Sequence, residues 1–147
     1  MFPTTTLLIF LFLLLPCCTC RDTITAVQPL EFGASILSKE NKFELGFFQS
    51  SGNSVAWYVG IWYANLIDEK TIVWVANRDN PINDTSNVFL TIDGHRNLAI
   101  GHNNTDQVLF NISNGSATYG TILARLLDTG NLVLVQENDI NDEILLW

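Results

Sequence analysis

The chain has 147 residues, 48% of them hydrophobic and 15% charged, and its 7 basic against 15 acidic side chains give a formal charge of −8. That balance argues against nucleic acid and anionic lipid as partners, because both are held by clustered Lys and Arg. The length allows one leader and one domain that buries somewhat over 60% of its unfolded surface.

In chain order, residues 1–20 carry no charged side chain, hold the apolar run from Leu7 to Pro16 and finish on small residues at Cys18 and Cys20. This pattern predicts a secretory signal peptide, since the run is about half the ~20 residues that a membrane-spanning helix needs. No Lys or Arg precedes the apolar run, so the amino terminus alone supplies positive charge there. The three cysteines, Cys17, Cys18 and Cys20, all fall in this segment. Cleavage near Arg21 therefore leaves a secreted domain, residues 21–147, that is expected to hold itself by its core without disulfides.

Beyond it, short apolar runs alternate with period 2 and are separated by Gly, Asn, Asp and Ser, which predicts an all-β domain. Strands are expected over 34–38, 42–49, 57–63, 71–76, 88–92, 98–101, 107–112, 122–127, 132–136 and 144–147. No segment keeps a 3.6-residue period long enough for a helix. In residues 107–112, alternation puts Val108, Phe110 and Ile112 on one face and Leu109 with Asn111 on the other. The aromatics Trp57, Tyr58, Trp62 and Tyr63 are read as sheet packing, with a sugar-stacking platform as the alternative.

A repeat organises these strands. Trp74, Phe110 and Trp147 each follow two or three aliphatics, at spacings of 36 and 37 residues. Three core anchors of this kind imply three equivalent sheets packed on one another. A second phrase, an Asp-containing turn leading to Asn-Leu and alternating aliphatics, runs from Leu90 to Ile100 and again from Arg125 to Leu134. In the first repeat residues 41–48 resemble that Asn-Leu strand, with Phe43 standing where Leu98 and Leu132 stand, so 55–63 reads as an inserted hairpin. The chain stops on the third anchor, and the last strand is expected to fray.

Four acceptor sequons follow Pro81, at Asn83, Asn103, Asn111 and Asn114, and in a secreted chain they predict surface glycans. His95 and His102 have no Cys or paired acid at metal spacing, so no metal ligand and no cofactor is assigned. Leu126-Leu127-Asp128-Thr129-Gly130 is similar to the way an aspartic protease presents its carboxylate. Asn131 stands where Ser or Thr is expected, however, and too little chain follows to build a flap. No catalytic residue is assigned.

The phrases KFELGFF, YVGIWY, TIVWVANRDNPI and LLDTGNLVL together resemble the bulb-type, mannose-binding lectin domain of plant S-domain receptor-like kinases and S-locus glycoproteins. The resemblance spans 21–147, and WVANRDNP (74–81) is its most specific part. It implies a β-prism of three four-stranded antiparallel sheets with pseudo-threefold symmetry, truncated at its C-terminal end, in which Phe110 replaces the usual Trp. It also implies an extracellular recognition module without catalysis, of pollen-recognition or defence type, whose partner is a mannose-type glycan or a protein; an autonomous secreted mannose lectin is the alternative.

Sugar-binding members of that fold carry a Gln-x-Asp-x-Asn-x-Val-x-Tyr strand in each sheet, whose polar groups meet the sugar hydroxyls. In the third repeat Asn131 and Val133 match, Val135 replaces the Tyr, Asp128 is displaced by one residue, and Leu126 or Leu127 holds the Gln position. In the second, Asn97 matches, Ala99 and Gly101 replace Val and Tyr, and Asp93 is displaced further. The first repeat, read at Lys42 and Phe43, retains nothing polar of the pattern. Each lost partner leaves a sugar hydroxyl unpaired at about 1–3 kcal/mol once desolvated, so the resemblance implies a degenerate carbohydrate site. Asp93 and Asp128 have in addition the composition of turns, in which a carboxylate accepts from nearby backbone amides.

Overall fold

A computed structural model describes residues 21–50, 52, 55–66, 70–102, 108–112, 120–137 and the backbone of 143–145. The leader with its three cysteines, the sequons at Asn103 and Asn114, and the anchor Trp147 lie outside the described residues.

Every regular element described is a strand, as the period-2 patterning predicts. The elements are β1 (Thr23–Thr25), β2 (Leu30–Glu31), β3 (Ser35–Leu37), β4 (Phe43–Gln49), β5 (Trp57–Tyr63), β6 (Ile72–Val75), β7 (Val88–Ile92), β8 (Leu98–His102), β9 (Val108–Asn111), β10 (Thr121–Leu126), β11 (Leu132–Glu137) and β12 (Glu143–Leu145). They form three four-stranded antiparallel sheets: β3-β4-β5-β6, β2-β7-β8-β9 and β1-β10-β11-β12. The inner faces meet in one core, in which Ile24, Leu45, Val59, Leu90, Leu98, Ile100 and Leu134 are fully buried.

β1, β2 and β3 all come from the segment before Ser38, so the N-terminal arm contributes one edge strand to each sheet in turn. β1 and β2 were not expected. Strands of two or three residues carry no readable alternation, and these exist because Ile24 and Leu30 reach the core when their backbone pairs with β10 and β7.

The repeat is placed differently from the sequence reading. β4 occupies the position of β7 and β10, and the counterpart of β8 and β11 is β5. Residues 55–63 are therefore no inserted hairpin. Residues 41–43 look like 96–98 and 130–132 because all three enter a strand from a tight turn with a positive-φ residue: Asn41 (56°), Arg96 (67°) and Gly130 (83°), each donating its N–H to the carbonyl three residues back. The likeness reports a shared turn and not a shared place in the sheet.

A second correction concerns Val108. In β8–β9 Ile100 pairs with Phe110 but Gly101 pairs with Val108, so Leu109 is bulged out and Val108 moves to the outer face, away from Phe110. The same irregularity recurs in β5–β6, where Ile61 pairs with Trp74 and Trp62 with Ile72, leaving Val73 as the extra residue. Both bulges sit immediately before the core aromatic.

The WVANRDNP phrase is a structural lock. Asn77 is 1% exposed; its Oδ1 accepts the Val59 N–H at 2.8 Å and its amide donates to the Asn80 carbonyl at 2.9 Å. The chain leaving β6 is thereby folded back onto β5, and Ile82 then exchanges two 2.9 Å backbone hydrogen bonds with Trp57.

Candidate functional site

The outer faces of β5, β8 and β11 occupy equivalent places in the three sheets.

On the third sheet, Val133 and Val135 of β11 face Arg125 and Leu123 of β10. Leu123, Val133 and Val135 form a small apolar cluster with Leu127 against it, and Arg125 pairs with Glu137 at 3.9 Å. Asn131 is exposed at the mouth of the turn. Asp128 does not join it. Its Oδ1 accepts the Glu40 N–H at 2.8 Å from the β3–β4 turn, 88 residues away in sequence. This backbone hydrogen bond, the Ser38 hydroxyl and the charges of Lys42 and Lys39 hold the Asp128 carboxyl below its ordinary range. Asp128 therefore ties the third sheet to the first, over a far longer reach than the nearby amides expected from its turn composition.

On the second sheet Asp93 behaves as a turn carboxylate should: its Oδ1 accepts the N–H groups of His95 at 2.9 Å and Asn97 at 2.8 Å. Asn97 is half-buried beside it. Ala99 and Gly101 follow on the outer face, where the Phe89 ring lies so close over Gly101 that a β-carbon there would come within 2.6 Å of it. Asn111 is exposed directly opposite Ala99 on the neighbouring strand, so this sequon faces outward as expected.

On the first sheet the equivalent positions are Tyr58, Gly60 and Trp62 of β5, which the sequence reading missed. Trp62 is 2% exposed, donates its indole N–H to Glu44 at 2.9 Å, and has the Lys70 ammonium 3.9 Å above its ring. Phe48 stacks edge-on against Trp62 and tilts against Tyr58, filling the space over Gly60. Three of the four aromatics in 57–63 thus pack within the sheets, Trp57 against Phe32 at 4.7 Å. A signal was present: Trp62 stands 12 residues before Trp74, as Val135 stands 12 before Trp147.

A cavity of about 590 Å³ opens at one end of the prism, between the first sheet and the β10–β11 turn. It is lined among others by Phe43, Tyr63, Val73, Trp74, Thr129 and Asn131. A smaller one of about 400 Å³ lies at the matching end of the second sheet, beside Pro81, Asn83, Leu109 and Phe110. There His102 meets Asp84 at 3.6 Å, and the Ser86 backbone N–H is the leading cause holding Asp84 below the usual carboxylate range.

Three antiparallel four-stranded sheets around one core, each with the same strand presented outward, define the β-prism scaffold of a lectin. Comparison with known proteins agrees: a family model described as D-mannose binding lectin matches residues 71–147. The chain belongs to that family. It is 46% identical over 127 residues to RKS1, a G-type lectin S-receptor-like serine/threonine-protein kinase of Arabidopsis thaliana, covering 86% of this chain and 15% of the kinase. It is 35% identical over 144 residues to the S-locus-specific glycoprotein S6 of Brassica oleracea, covering 96% of this chain and 32% of the glycoprotein. The receptor-like kinase SD1-7 of Arabidopsis thaliana is 39% identical over 128 residues. The chain spans about a seventh of these kinases and a third of the glycoprotein.

Proposed function

We propose that the chain is an extracellular recognition module, of the kind that would serve pollen recognition or defence at the cell surface, whose three outer-face mannose sites have been given over to packing. The observation that carries this reading is the outer face of β5, where Trp62, Phe48 and Tyr58 fill the ground a sugar would need and the Trp62 indole N–H is held by Glu44. The replacement of sugar-binding side chains by Phe89 over Gly101 and by the Leu123, Val133, Val135 cluster supports it on the other two sheets.

Secretion rests on the charge-free apolar leader of residues 1–20. Among the described residues no helix is long and apolar enough to cross a membrane. Asn83 and Asn111 are both exposed, which suits glycosylation. A glycan on Asn111 would lie across the outer face of the second sheet, opposite Ala99, and cover any residual affinity there.

The test is a titration with methyl α-mannopyranoside followed by backbone amide shifts. At roughly millimolar sugar the amides of Gly60, Ala99, Gly101 and Val135 should not move. Saturable shifts there would favour the alternative, an autonomous mannose lectin with Asn131 and Val133 among its contacts.

A further inference from the structure

A hollow of about 250 Å³ opens on the outer face of the first sheet, lined by Phe48, Ser50, Tyr58, Ile72, Val75 and Arg78. The bulge in β6 creates it. Strict alternation would send Ile72 and Val75 to opposite faces, but the extra residue Val73 brings Ile72 opposite Trp62 and Val75 opposite Gly60, both on the outer face. Gly60 has no side chain, so the Phe48 ring occupies the space above it and tilts against Tyr58 at 5.7 Å. The floor is thus two rings and two aliphatic side chains, all half-buried.

One charge stands at its rim. Arg78 follows Asn77, whose hydrogen bonds to Val59 and Asn80 hold this stretch of backbone, while the Arg78 side chain is exposed. Among the described residues no carboxylate comes within ion-pair distance of its guanidinium. Ser51, Asn53 and Ser54, next along the chain from Ser50, bring no charge. At the opposite end of the same face the charges are engaged: Lys70 lies 3.9 Å above the Trp62 ring, and Glu44 accepts the indole N–H.

A guanidinium presents a planar fork of donors that matches a carboxylate, and it is hydrated weakly enough to work beside aromatic faces. The apolar floor suits an aliphatic or aromatic side chain next to that carboxylate. At about 250 Å³ the hollow falls below the ~300–1,000 Å³ of sites for whole small ligands, so it fits one or two side chains of a larger partner. Tyr and Arg are also among the residues that anchor protein interfaces. Charge selects the partner: in a chain of −8 this hollow offers the opposite sign, and a basic segment would meet repulsion here.

We propose that this hollow is a docking site for an acidic segment of a protein partner, its carboxylate on Arg78 and the neighbouring apolar side chain on Tyr58 and Phe48. The proposal rests on the reading that the outer face of β5 is packed and no longer takes sugar, and it names the partner class for that face. To test it, isotope-labelled secreted chain is titrated with an acetylated hexapeptide of alternating glutamate and leucine, with its glutamine counterpart, and with trigalacturonate as an anion of another class. The expected result is saturable amide shifts at Ser50, Tyr58, Val75 and Arg78 with the glutamate peptide, weakened by added salt. The glutamine peptide should bind about tenfold more weakly, the order of one charge-assisted hydrogen bond. Arg78→Gln, at an exposed position, should weaken the glutamate peptide by the same factor with an unchanged denaturation midpoint, and Arg78→Lys should recover part of it. Equal binding of the two peptides, or an Arg78→Gln chain that binds as the native chain does, would overturn the proposal. So would trigalacturonate moving these amides with both peptides silent, which would give the arginine to an acidic sugar. Shifts at Gly60, Ala99, Gly101 and Val135 with methyl α-mannopyranoside would overturn this site together with the reading of the outer faces. Silence toward both the mannoside and the peptides would overturn the docking site alone.

Discussion

Two carboxylates that the sequence pairs as site residues have separate structural tasks. Asp93 closes its own turn, and Asp128 joins two sheets. Because the Asp128 carboxyl is held below its ordinary range, its contribution to stability is complete above the unfolded carboxylate pKa of about 3.9 and disappears as pH falls through the lower folded value. The stability difference between the native chain and Asp128→Asn should therefore be present at neutral pH and shrink towards zero in acid, read from denaturant midpoints at a series of pH values. Asn77 is the second residue with a sharp consequence. Its side chain satisfies a buried N–H and a carbonyl at once, so Asn77→Ala should destabilise the fold by about 2–4 kcal/mol, measured by urea unfolding. The sequence identified its phrase as the most specific in the chain but gave no reason for it, because the reason is a contact with Val59 that only the folded-back chain makes.

At the scale of elements, strands with clear alternation were legible in type and place, β5 and β7 to the residue. What escaped is physically of one kind. β1 and β2 are held by pairing and by single buried side chains, Ile24 and Leu30, so nothing local announces them. Val108 was assigned the wrong face because a bulge adds a residue that no composition rule places, and β4 was matched to β8 and β11 because it begins with the same kind of turn. The arm's role gives a prediction: Ile24→Ala or Leu30→Ala should each cost about 2–5 kcal/mol despite lying in strands of two or three residues. Loss below 1 kcal/mol in thermal or denaturant unfolding would show that the arm is a loose cover.

For the whole molecule, the spacing of the anchors made threefold architecture readable before any strand was placed, and the resemblance supplied the strand on which sugar sites sit. The candidate site itself was legible only in part. Ala99, Gly101 and Val135 were readable as departures from the sugar-binding strand in the second and third repeats, whereas the aromatic packing of the first face depends on which strand packs where. The stability of Trp62→Ala tests whether the outer faces have become packing surfaces. A Trp buried to 2% and bonded to Glu44 should cost about 3–5 kcal/mol when truncated, read from equilibrium denaturation. A loss under about 1 kcal/mol would mean that the face does not need the ring for packing, and would contradict that reading.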